Sequence, residues 1–497
     1  MTSTGELPRL AIRPLAVILA VQAAGLTALS GRYGFNRDEL YFIAAGNHLA
    51  LGYVDQPPIT PLLARISIDL FGDTPYGLRV VSTIMAMLTV LLVALIAREF
   101  GSGRGPQLFA AGAAALSGFV LVVSHLLSTS SFDLLMWTLI GWLLLRLLRT
   151  GDGRLWIPIG LAVGLALENK WLVIGLLAAV AIGLIVLGPR SVFRTWWLAA
   201  GIAAAALILL PNLIWQIQNH FPQLTVASQI SQTDGATNRI TFVPLQLLYL
   251  SPVLVPVWFA GIRRIWRRAE LRWARSLVLA YPVLCVALLI VGGKPYYPVP
   301  LLLVFLAAGA EQSMGTVRWF VTGKLTVSRV WSWVGVVLAL LISVVISLPV
   351  LPQRALNPVL AIEPDQGEEV AWPSFVDAVA TAWHQIPAGE RGSAVIFTGN
   401  YGEAGAIGQY GYLDGLPAPY SGHMSYSAWG PPADSMTGPV LLVGKFAPTQ
   451  FTDCRQITRY HNEYGVHDQE WGVPISICTG HTGPWSQLWA SLSHDYG

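Results

Sequence analysis

Long apolar stretches with few charged side chains recur between residues 14 and 350, and the last 147 residues contain none. A helix of about 20 apolar residues is long enough to cross the roughly 30 Å of bilayer hydrocarbon. Runs bounded by charged residues or by Gly and Pro predict eleven spans, at residues 14–30, 77–97, 107–124, 131–148, 155–169, 171–188, 196–214, 242–260, 276–291, 297–312 and 330–350. The pattern predicts an α-helical polytopic membrane protein, with a transmembrane domain over residues 1–350.

Residues 155–188 are interpreted as two spans because a single helix of this length would measure about 50 Å, which exceeds the bilayer thickness unless the helix is steeply tilted. One helix would also place Arg154 and Arg190 on opposite sides of the membrane, against the distribution of basic residues described below.

The connection at residues 31–76 is more than a simple linker. Two segments in it, DELYFIAAGNHLA and PLLARISIDLF, are typical of short interfacial helices. In the second, Leu62, Ile66 and Leu70 share one face, while Arg65 and Asp69 are spaced i,i+4 on another. Helices of this kind lie in the plane of the membrane.

The sequence pattern of residues 351–497 predicts a soluble α/β domain. AVIFTG and PVLLVGKF have the pattern of buried strands, and EAGAIGQYG that of a short helix. Tyr401 and Glu403 in this region are candidates either for recognising an acceptor or for packing the fold, and packing is the favoured interpretation.

Composition and charge narrow the class of protein. A chain with 54% hydrophobic and 11% charged residues is not water-soluble, and a net charge of +3 spread over many short loops gives no support for nucleic-acid binding. With the N-terminus in the cytoplasm, the inner loops hold 18 Lys and Arg, Lys324 among them, the outer loops hold 7, and the C-terminal segment holds 5. Because basic residues accumulate in cytoplasmic loops, residues 351–497 are predicted to be extracytoplasmic. A disulfide between Cys454 and Cys478 is permitted there.

Acidic residues are concentrated at the predicted outer ends of spans, where charge is costly and is therefore a sign of function. Asp38, Glu39 and Asp55 lie in the first connection, and Asp133 begins the fourth span. The two loops are expected to offer carboxylates to one site. The alternative is that Asp38 and Asp133 are helix caps or solvated loop residues.

Two lysines run against the charge distribution. Lys170 and Lys294 are the only basic residues in their predicted outer loops. Each needs an anionic partner, which is either a carboxylate such as Glu168 or the phosphate of a lipid. Snorkelling to the interface is the alternative. Tyr297, close to Lys294, would add a hydroxyl donor.

The sequence lacks the motifs of several common classes of enzyme. The chain has no P-loop, dinucleotide fingerprint or HExxH motif. Acidic residues at the membrane surface, in a chain without the motif of an ATP site, favour two main classes of protein. One is an enzyme that uses an already activated lipid substrate, and the other is an ion-coupled transporter or lipid flippase. A transporter would be expected to show paired broken helices in two similar halves, which the sequence does not show. A third interpretation treats the exported domain as a non-catalytic receptor or assembly platform.

Several stretches resemble a known family, and together they extend over nearly the whole chain. They are YGFNRDELYFIAAGNHLALGYVDQPPITPLLARIS, SFDLLMW, ALENKW, PNLIWQIQNHFPQL, GGKPYYPVPLLLVFLAAGA and NYGEAGAIGQYGYLDGLPAPYSGH. They resemble the GT-C glycosyltransferases, and in particular the bacterial family 39 group, which is similar to protein O-mannosyltransferases and to the lipid A aminoarabinose transferase. The resemblance implies a GT-C type fold.

The resemblance also implies a polyprenyl-phosphate sugar donor and inverting transfer to a hydroxyl on an acceptor protein, lipid or cell-wall glycan. Asp38 matches the family's first-loop aspartate, the expected general base, with Glu39 in a supporting position. Asp55 falls where relatives carry a glutamate before Lys-Pro-Pro, and Asp133 matches the acid of the second outer loop.

Lys294 matches a lysine near the lipid phosphate. The lysine of Lys-Pro-Pro is replaced by Gln56, so Lys294, Lys170 and Arg65 are the candidate phosphate-binding residues, with Tyr297 beside them. Some relatives use a divalent cation, which Asp38, Glu39 and Asp133 would have to hold.

Overall fold

The computed structural model describes residues 6–322, 326–446 and 449–495, and Lys324 lies outside these ranges. Helices predominate along the chain. They are α1 Ile12–Leu29, α2 Arg37–Asn47, α3 Ile59–Phe71, α4 Pro75–Glu99, α5 Arg104–Ala115, α6 Gly118–His125, α7 Thr129–Thr150, α8 Trp156–Leu167, α9 Val173–Leu187, α10 Trp196–Gln218, α11 Pro222–Thr233, α12 Gly235–Leu248, α13 Val255–Arg267, α14 Arg275–Val291, α15 Val299–Thr322, α16 Val327–Ser347, α17 Asn357–Leu360, α18 Trp372–Trp383, α19 Tyr401–Tyr410, α20 Ser425–Ala428 and α21 Trp485–Leu492.

The described residues contain seven helices that are long and apolar enough to cross a membrane, or nine spans if two bent helix pairs each count as one. Two shorter apolar helices, Gly153–Leu167 and Val173–Leu187, coincide with the two short spans predicted over residues 155–188. Each predicted run therefore corresponds to a helix or a bent pair, and the prediction of a polytopic helical membrane protein is confirmed.

Two of the predicted spans are not single helices, which corrects the sequence interpretation. The run at 107–124 is the pair α5 and α6, bent by 58°, and the run at 242–260 lies in the pair α12 and Pro252–Arg267, bent by 67°. Ser251 adopts a φ of 102°, which ends the regular helix before Pro252. The two breaks meet, because the backbone N–H of Phe119 donates to the carbonyl of Tyr249 at 2.8 Å. Backbone groups that leave a helix in a membrane protein need such partners.

The chain divides into two compact units. The first comprises residues 1–29, 79–218 and 230–348, and the second comprises 30–78, 219–229 and 349–497. The connection at residues 31–76 thus belongs to the same unit as the C-terminal segment. The predicted boundary between a transmembrane domain and a soluble domain at residues 350 and 351 stays a prediction.

Glycine allows close helix packing in the first unit. A Cβ on Gly261 would overlap the carbonyl oxygen of Phe305, and a Cβ on Gly309 would overlap that of Val257. Helices α13 and α15 therefore approach to backbone contact. Small residues at helix interfaces are typical of membrane proteins, where packing rather than the hydrophobic effect holds helices together.

The second unit contains a five-stranded sheet with the order β2-β1-β3-β6-β5. Its strands are β1 Val395–Thr398, β2 Tyr420–Ser421, β3 Val440–Val443, β5 Arg455–Arg459 and β6 Pro474–Cys478, while β4 Phe451–Thr452 and β7 Gly480–His481 form a separate pair. Strand β1 is parallel to β2 and β3, and β6 is antiparallel to β3 and β5. The predicted strands AVIFTG and PVLLVGKF are β1 and β3, so the expected C-terminal α/β fold is confirmed. A disulfide joins Cys454 to Cys478.

Candidate active site

The N-termini of helices α2 and α19, which carry Asp38 and Tyr401, are built in the same way. Helix α2 begins after Asn36 and helix α19 after Asn400, and in each a capping box joins the asparagine to a glutamate three residues later. The capping residues satisfy backbone N–H groups that have no partner inside the helix. Glu39, predicted to support catalysis, is the capping glutamate of α2 and accepts from Asn36 N at 2.8 Å. Glu403 plays the same part in α19, accepting from Asn400 N at 3.1 Å.

Asp38 lies in the first turn of α2 and is exposed. Its carboxylate Oδ1 accepts a hydrogen bond of 2.7 Å from the hydroxyl of Tyr401, the first residue of α19. The guanidinium of Arg37 lies over the ring of the same tyrosine, 4.4 Å from its centroid. Among the described residues, no ion pair within 4.0 Å joins Arg37 to Asp38. The carboxylate of Asp38 is therefore oriented by a neutral donor and remains open to solvent.

Asp55 is held beside Asp38 by a second tyrosine. The hydroxyl of Tyr41 donates to Asp55 Oδ1 at 2.5 Å and lies 2.7 Å from Ser425 Oγ. Burial, together with the negative charge of Asp38, raises the pKa of Asp55 from 3.8 to about 6 against the opposing effect of the Tyr41 hydrogen bond. The rings of Tyr41 and Tyr401 pack with centroids 4.8 Å apart. Two carboxylates, each bound by a tyrosine, thus form one cluster within the second unit.

Gln56 follows Asp55 and stands where relatives carry a lysine. Its side chain is 3% exposed, and neither its amide nitrogen nor its amide oxygen has a hydrogen-bond partner among the described residues. A neutral amide at this position supplies no positive charge for a phosphate.

Asp133 belongs to the first unit, in the second turn of α7, which is capped by Ser128 and Ser131. It is therefore not the helix cap of the alternative interpretation. Its Oδ1 accepts a hydrogen bond of 2.8 Å from Asn169 Nδ2, which also donates to Thr129 O at 2.8 Å. The carboxylate lines a pocket whose walls are Phe119, Ser130, Asp133, Leu134, Trp137, Leu172, Tyr296, Tyr297 and Pro300.

Both predicted lysines act on the two tyrosines of this pocket, although neither lysine is one of its wall residues. The ammonium of Lys170 is 5.9 Å from the ring centroid of Tyr296 and 5.2 Å from that of Tyr297. Burial alone would raise the pKa of Tyr296, but the charges of Lys170 and Lys294 together lower it. The charge of Lys170 also acts on Asp133. Two tyrosines and a carboxylate thus line one pocket, and the charges of two lysines act on its tyrosines.

Arg65, the third candidate for phosphate binding, has protein partners. It lies on α3, where its Nε is 2.9 Å from Asp69 Oδ2 and its Nη1 donates to Asn47 Oδ1 at 2.8 Å. Its role in phosphate binding stays a prediction. The predicted apolar face of α3 is exposed, with Leu70 at 69%.

Sequence reasoning missed several groups at these sites. Tyr41, Ser425 and Asn169 were not singled out, and Tyr401 was interpreted as a packing residue. Asn169 lies beside Lys170 inside the ALENKW stretch, and Tyr41 and Tyr401 also lie inside stretches that resemble the family, whereas Ser425 lies outside them. The contact of Tyr401 with Asp38 joins residues 363 positions apart, and no local pattern encodes it.

No group of three or more His, Cys, Asp and Glu side chains in the part of the chain that the structure describes could hold a metal ion. A divalent cation held by Asp38, Glu39 and Asp133 stays a prediction.

Comparison with known proteins identifies relatives of the central segment. Residues 55–215 match the family described as dolichyl-phosphate-mannose-protein mannosyltransferase. The chain is 28% identical over 249 residues to a polyprenol-phosphate-mannose–protein mannosyltransferase of Corynebacterium glutamicum, covering 42% of this chain and 45% of that protein. It is 26% identical over 185 residues to the lipid A galacturonosyltransferase RgtD of Rhizobium johnstonii, covering 37% of this chain and 38% of that protein. The matches span less than half the length of these curated relatives.

Solved structures extend the likeness to the whole chain. ArnT from Cupriavidus metallidurans in the apo state matches with a TM-score of 0.57 at 15% identity, covering 96% of this chain and 98% of ArnT. ArnT bound to undecaprenyl phosphate matches with a TM-score of 0.55 at 16% identity, covering 94% and 98%. At this identity the likeness shows the fold. The chain is therefore a multi-pass membrane protein with the GT-C fold, and its resemblance to the family 39-like GT-C glycosyltransferases is confirmed.

Proposed function

We propose that this protein is a membrane glycosyltransferase that moves a sugar from a polyprenyl-phosphate donor to an acceptor hydroxyl, with inversion at the anomeric carbon. The relatives named for polyprenol-phosphate-mannose and for lipid A, and ArnT with its bound undecaprenyl phosphate, support this class of donor. The fold alone would not, because one fold hosts many functions.

The observation that carries the proposal is the pair of lysines at the Asp133 pocket. The Lys170 ammonium lies 5.9 Å from the centroid of the half-buried Tyr296 ring, and the charges of Lys170 and Lys294 both act on this tyrosine from separate connections of the chain. Two ammonium groups beside tyrosine hydroxyls form a charge-assisted donor set suited to a phosphate. Gln56 supplies no charge, so these lysines are the proposed phosphate ligands, with Tyr297 as a further donor and Arg65 as a third candidate cation.

The proposed reaction needs no nucleotide. Asp38 accepts the proton of the acceptor hydroxyl while that oxygen forms its bond to the anomeric carbon from the face opposite the phosphate. The bond between the anomeric carbon and the phosphate oxygen breaks, and the electron pair leaves with the polyprenyl phosphate. General-base assistance of this kind contributes roughly 10² to 10⁴ in rate. The two lysines stabilise the charge that develops on the leaving phosphate.

Asp133 and Asp55 have supporting parts in this scheme. Asp133, fixed by Asn169, is proposed to orient the sugar or the acceptor next to the lysines. Asp55 is proposed to support Asp38, and a carboxyl with a pKa near 6 can carry a proton near neutral pH.

Location and acceptor complete the proposal. From the distribution of basic residues, the N-terminus is cytoplasmic, the C-terminal domain is extracytoplasmic and the reaction occurs at the outer face of the cell membrane. The acceptor is a hydroxyl of a protein, a lipid or a cell-wall glycan.

The test uses the purified full-length protein in detergent with a panel of polyprenyl-phosphate sugars, each offered with a hydroxyl-bearing peptide, lipid A or a cell-wall glycan. Release of polyprenyl phosphate is followed by mass spectrometry, with and without a chelator. The wild type should consume one donor and form the inverted glycoside. Asp38→Asn should lower turnover by about 10² or more.

Two matched controls sharpen this test. Asp377→Asn changes an exposed aspartate of the second unit and should leave turnover unchanged. Lys294→Gln should raise the inhibition constant of free polyprenyl phosphate, whereas Lys445→Gln, which changes an exposed lysine, should not. Consumption of no donor by the wild type, or equal turnover by wild type and Asp38→Asn, would contradict the proposal.

A further inference from the structure

The first residues of α19 pack against α2 closely enough to reach its candidate base. A Cβ on Gly405 would lie 2.9 Å from Leu40 Cβ, and a Cβ on Gly402 would lie 2.5 Å from Arg37 Cγ. A larger residue at either position would push the helices apart. Gly402 and Gly405 of the second unit thus let α19 approach α2 closely enough for Tyr401 to reach Asp38.

Tyr401 uses both its hydroxyl and its ring. The hydroxyl donates to Asp38 Oδ1 at 2.7 Å, and the ring carries the Arg37 guanidinium 4.4 Å from its centroid. Tyr41, which binds Asp55, packs against the same ring. One side chain therefore contacts the candidate base, the cation next to it in the chain and the tyrosine of the second carboxylate.

The position of Arg37 decides whether it occupies the carboxylate oxygens of its neighbour Asp38. An arginine that formed a bidentate pair with Asp38 would occupy both carboxylate oxygens and stabilise the ionised form. The Tyr401 ring holds this guanidinium on its face instead, through a cation–π contact. The hydroxyl occupies one oxygen of Asp38 and leaves the other for the incoming acceptor hydroxyl.

The donor role of this hydroxyl is maintained at physiological pH. Burial raises the pKa of Tyr401 well above its ordinary value of 10.0, and the negative charge of Asp38 raises it further. Tyr401 therefore remains protonated and continues to donate whenever Asp38 is ionised.

From this geometry we propose that Tyr401 is a positioning residue for Asp38, through which the C-terminal domain orients the general base of the first loop. This inference rests on the proposed transferase function. It gives the C-terminal domain a direct part in the reaction and replaces the packing role that the sequence favoured for Tyr401.

Tyr401→Phe tests the inference because it keeps the ring and removes only the hydroxyl. In the transfer assay, kcat should fall by about ten-fold, the range expected for loss of a hydrogen bond to a charged group, with the donor KM unchanged. The thermal midpoint should stay within a few degrees of the wild type. Tyr412→Phe, a tyrosine of the same unit that is 71% exposed, is the matched control and should leave both kinetic constants unchanged.

The outcomes separate this inference from the proposed function. An active wild type, an inactive Asp38→Asn and a Tyr401→Phe with wild-type kcat would overturn the role of Tyr401 while leaving the transferase intact. A fall in kcat matched by a large loss of thermal stability would also overturn it, because that pattern indicates a packing role. If the wild type consumes no donor, the transferase proposal fails, and the inference fails with it.

Discussion

Replacing Asp55 by asparagine should make the protein harder to unfold at neutral pH. The carboxyl of Asp55 is half-buried between Tyr41 and Ser425, and burial raises its pKa from 3.8 to about 6. The ionised form is therefore less favourable in the folded protein than in the unfolded chain. An asparagine side chain avoids this cost and still offers a carbonyl oxygen to the Tyr41 hydroxyl.

The magnitude follows from the two pKa values. One pKa unit corresponds to about 1.4 kcal/mol, so the difference from 3.8 to about 6 destabilises the folded protein by about 3 kcal/mol above pH 6. Between pH 4 and 6 the unfolded chain has released the proton that the folded protein retains, so stability falls as pH rises through this window. Below pH 4 both states are protonated and the penalty disappears.

The assay is denaturant unfolding in detergent, followed by tryptophan fluorescence at pH 7.5 and pH 4.0. Asp55→Asn should exceed the wild type by up to about 3 kcal/mol in free energy of unfolding at pH 7.5 and by less than about 1 kcal/mol at pH 4.0. Asp377→Asn, on the exposed side of α18, should show no such pH-dependent difference. A stability difference that is equal at both pH values, or a less stable variant at pH 7.5, would refute this account of Asp55.

Four further changes have defined outcomes. Asn169→Leu removes the donor to Asp133 Oδ1 and should lower kcat about ten-fold, measured in the transfer assay with Asp133→Asn for comparison. Arg65→Gln should raise the inhibition constant of polyprenyl phosphate only slightly, because Asp69 and Asn47 already engage the guanidinium. Reduction of the Cys454–Cys478 disulfide, whose cysteines are 24 residues apart, should destabilise the C-terminal fold by about 3 kcal/mol in denaturant titrations. Gly309→Val should prevent close packing of α13 on α15 and reduce the yield of folded protein in size-exclusion chromatography, whereas Gly315→Val, at a glycine with open space around it, should not.

The sequence predicts the helical architecture well because apolar length is a local property. A run such as residues 77–97 must span or be buried, and it forms part of α4. The breaks in the runs at 107–124 and 242–260 were missed, since hydropathy stays high through them. The positive φ of Ser251 follows from packing rather than from composition.

The candidate site shows the same limit more sharply. Lys170 and Lys294 stood out because they oppose the charge distribution, and the structure brings both to Tyr296. Tyr401, the partner of Asp38, lies 363 positions away, across a helix contact that two glycines permit. Asp55 is bound by Tyr41 from the same connection and by Ser425, which lies 370 positions away. Polarity and spacing identified the carboxylates, but only the three-dimensional structure shows what holds them.

The most direct test of the central claim is a structure of the full-length protein with undecaprenyl phosphate bound. The proposed function predicts that the phosphate lies within hydrogen-bond distance of the Lys170 or Lys294 ammonium, at the pocket lined by Asp133 and Tyr297. A phosphate bound away from both lysines, with that pocket empty, would contradict the proposed function.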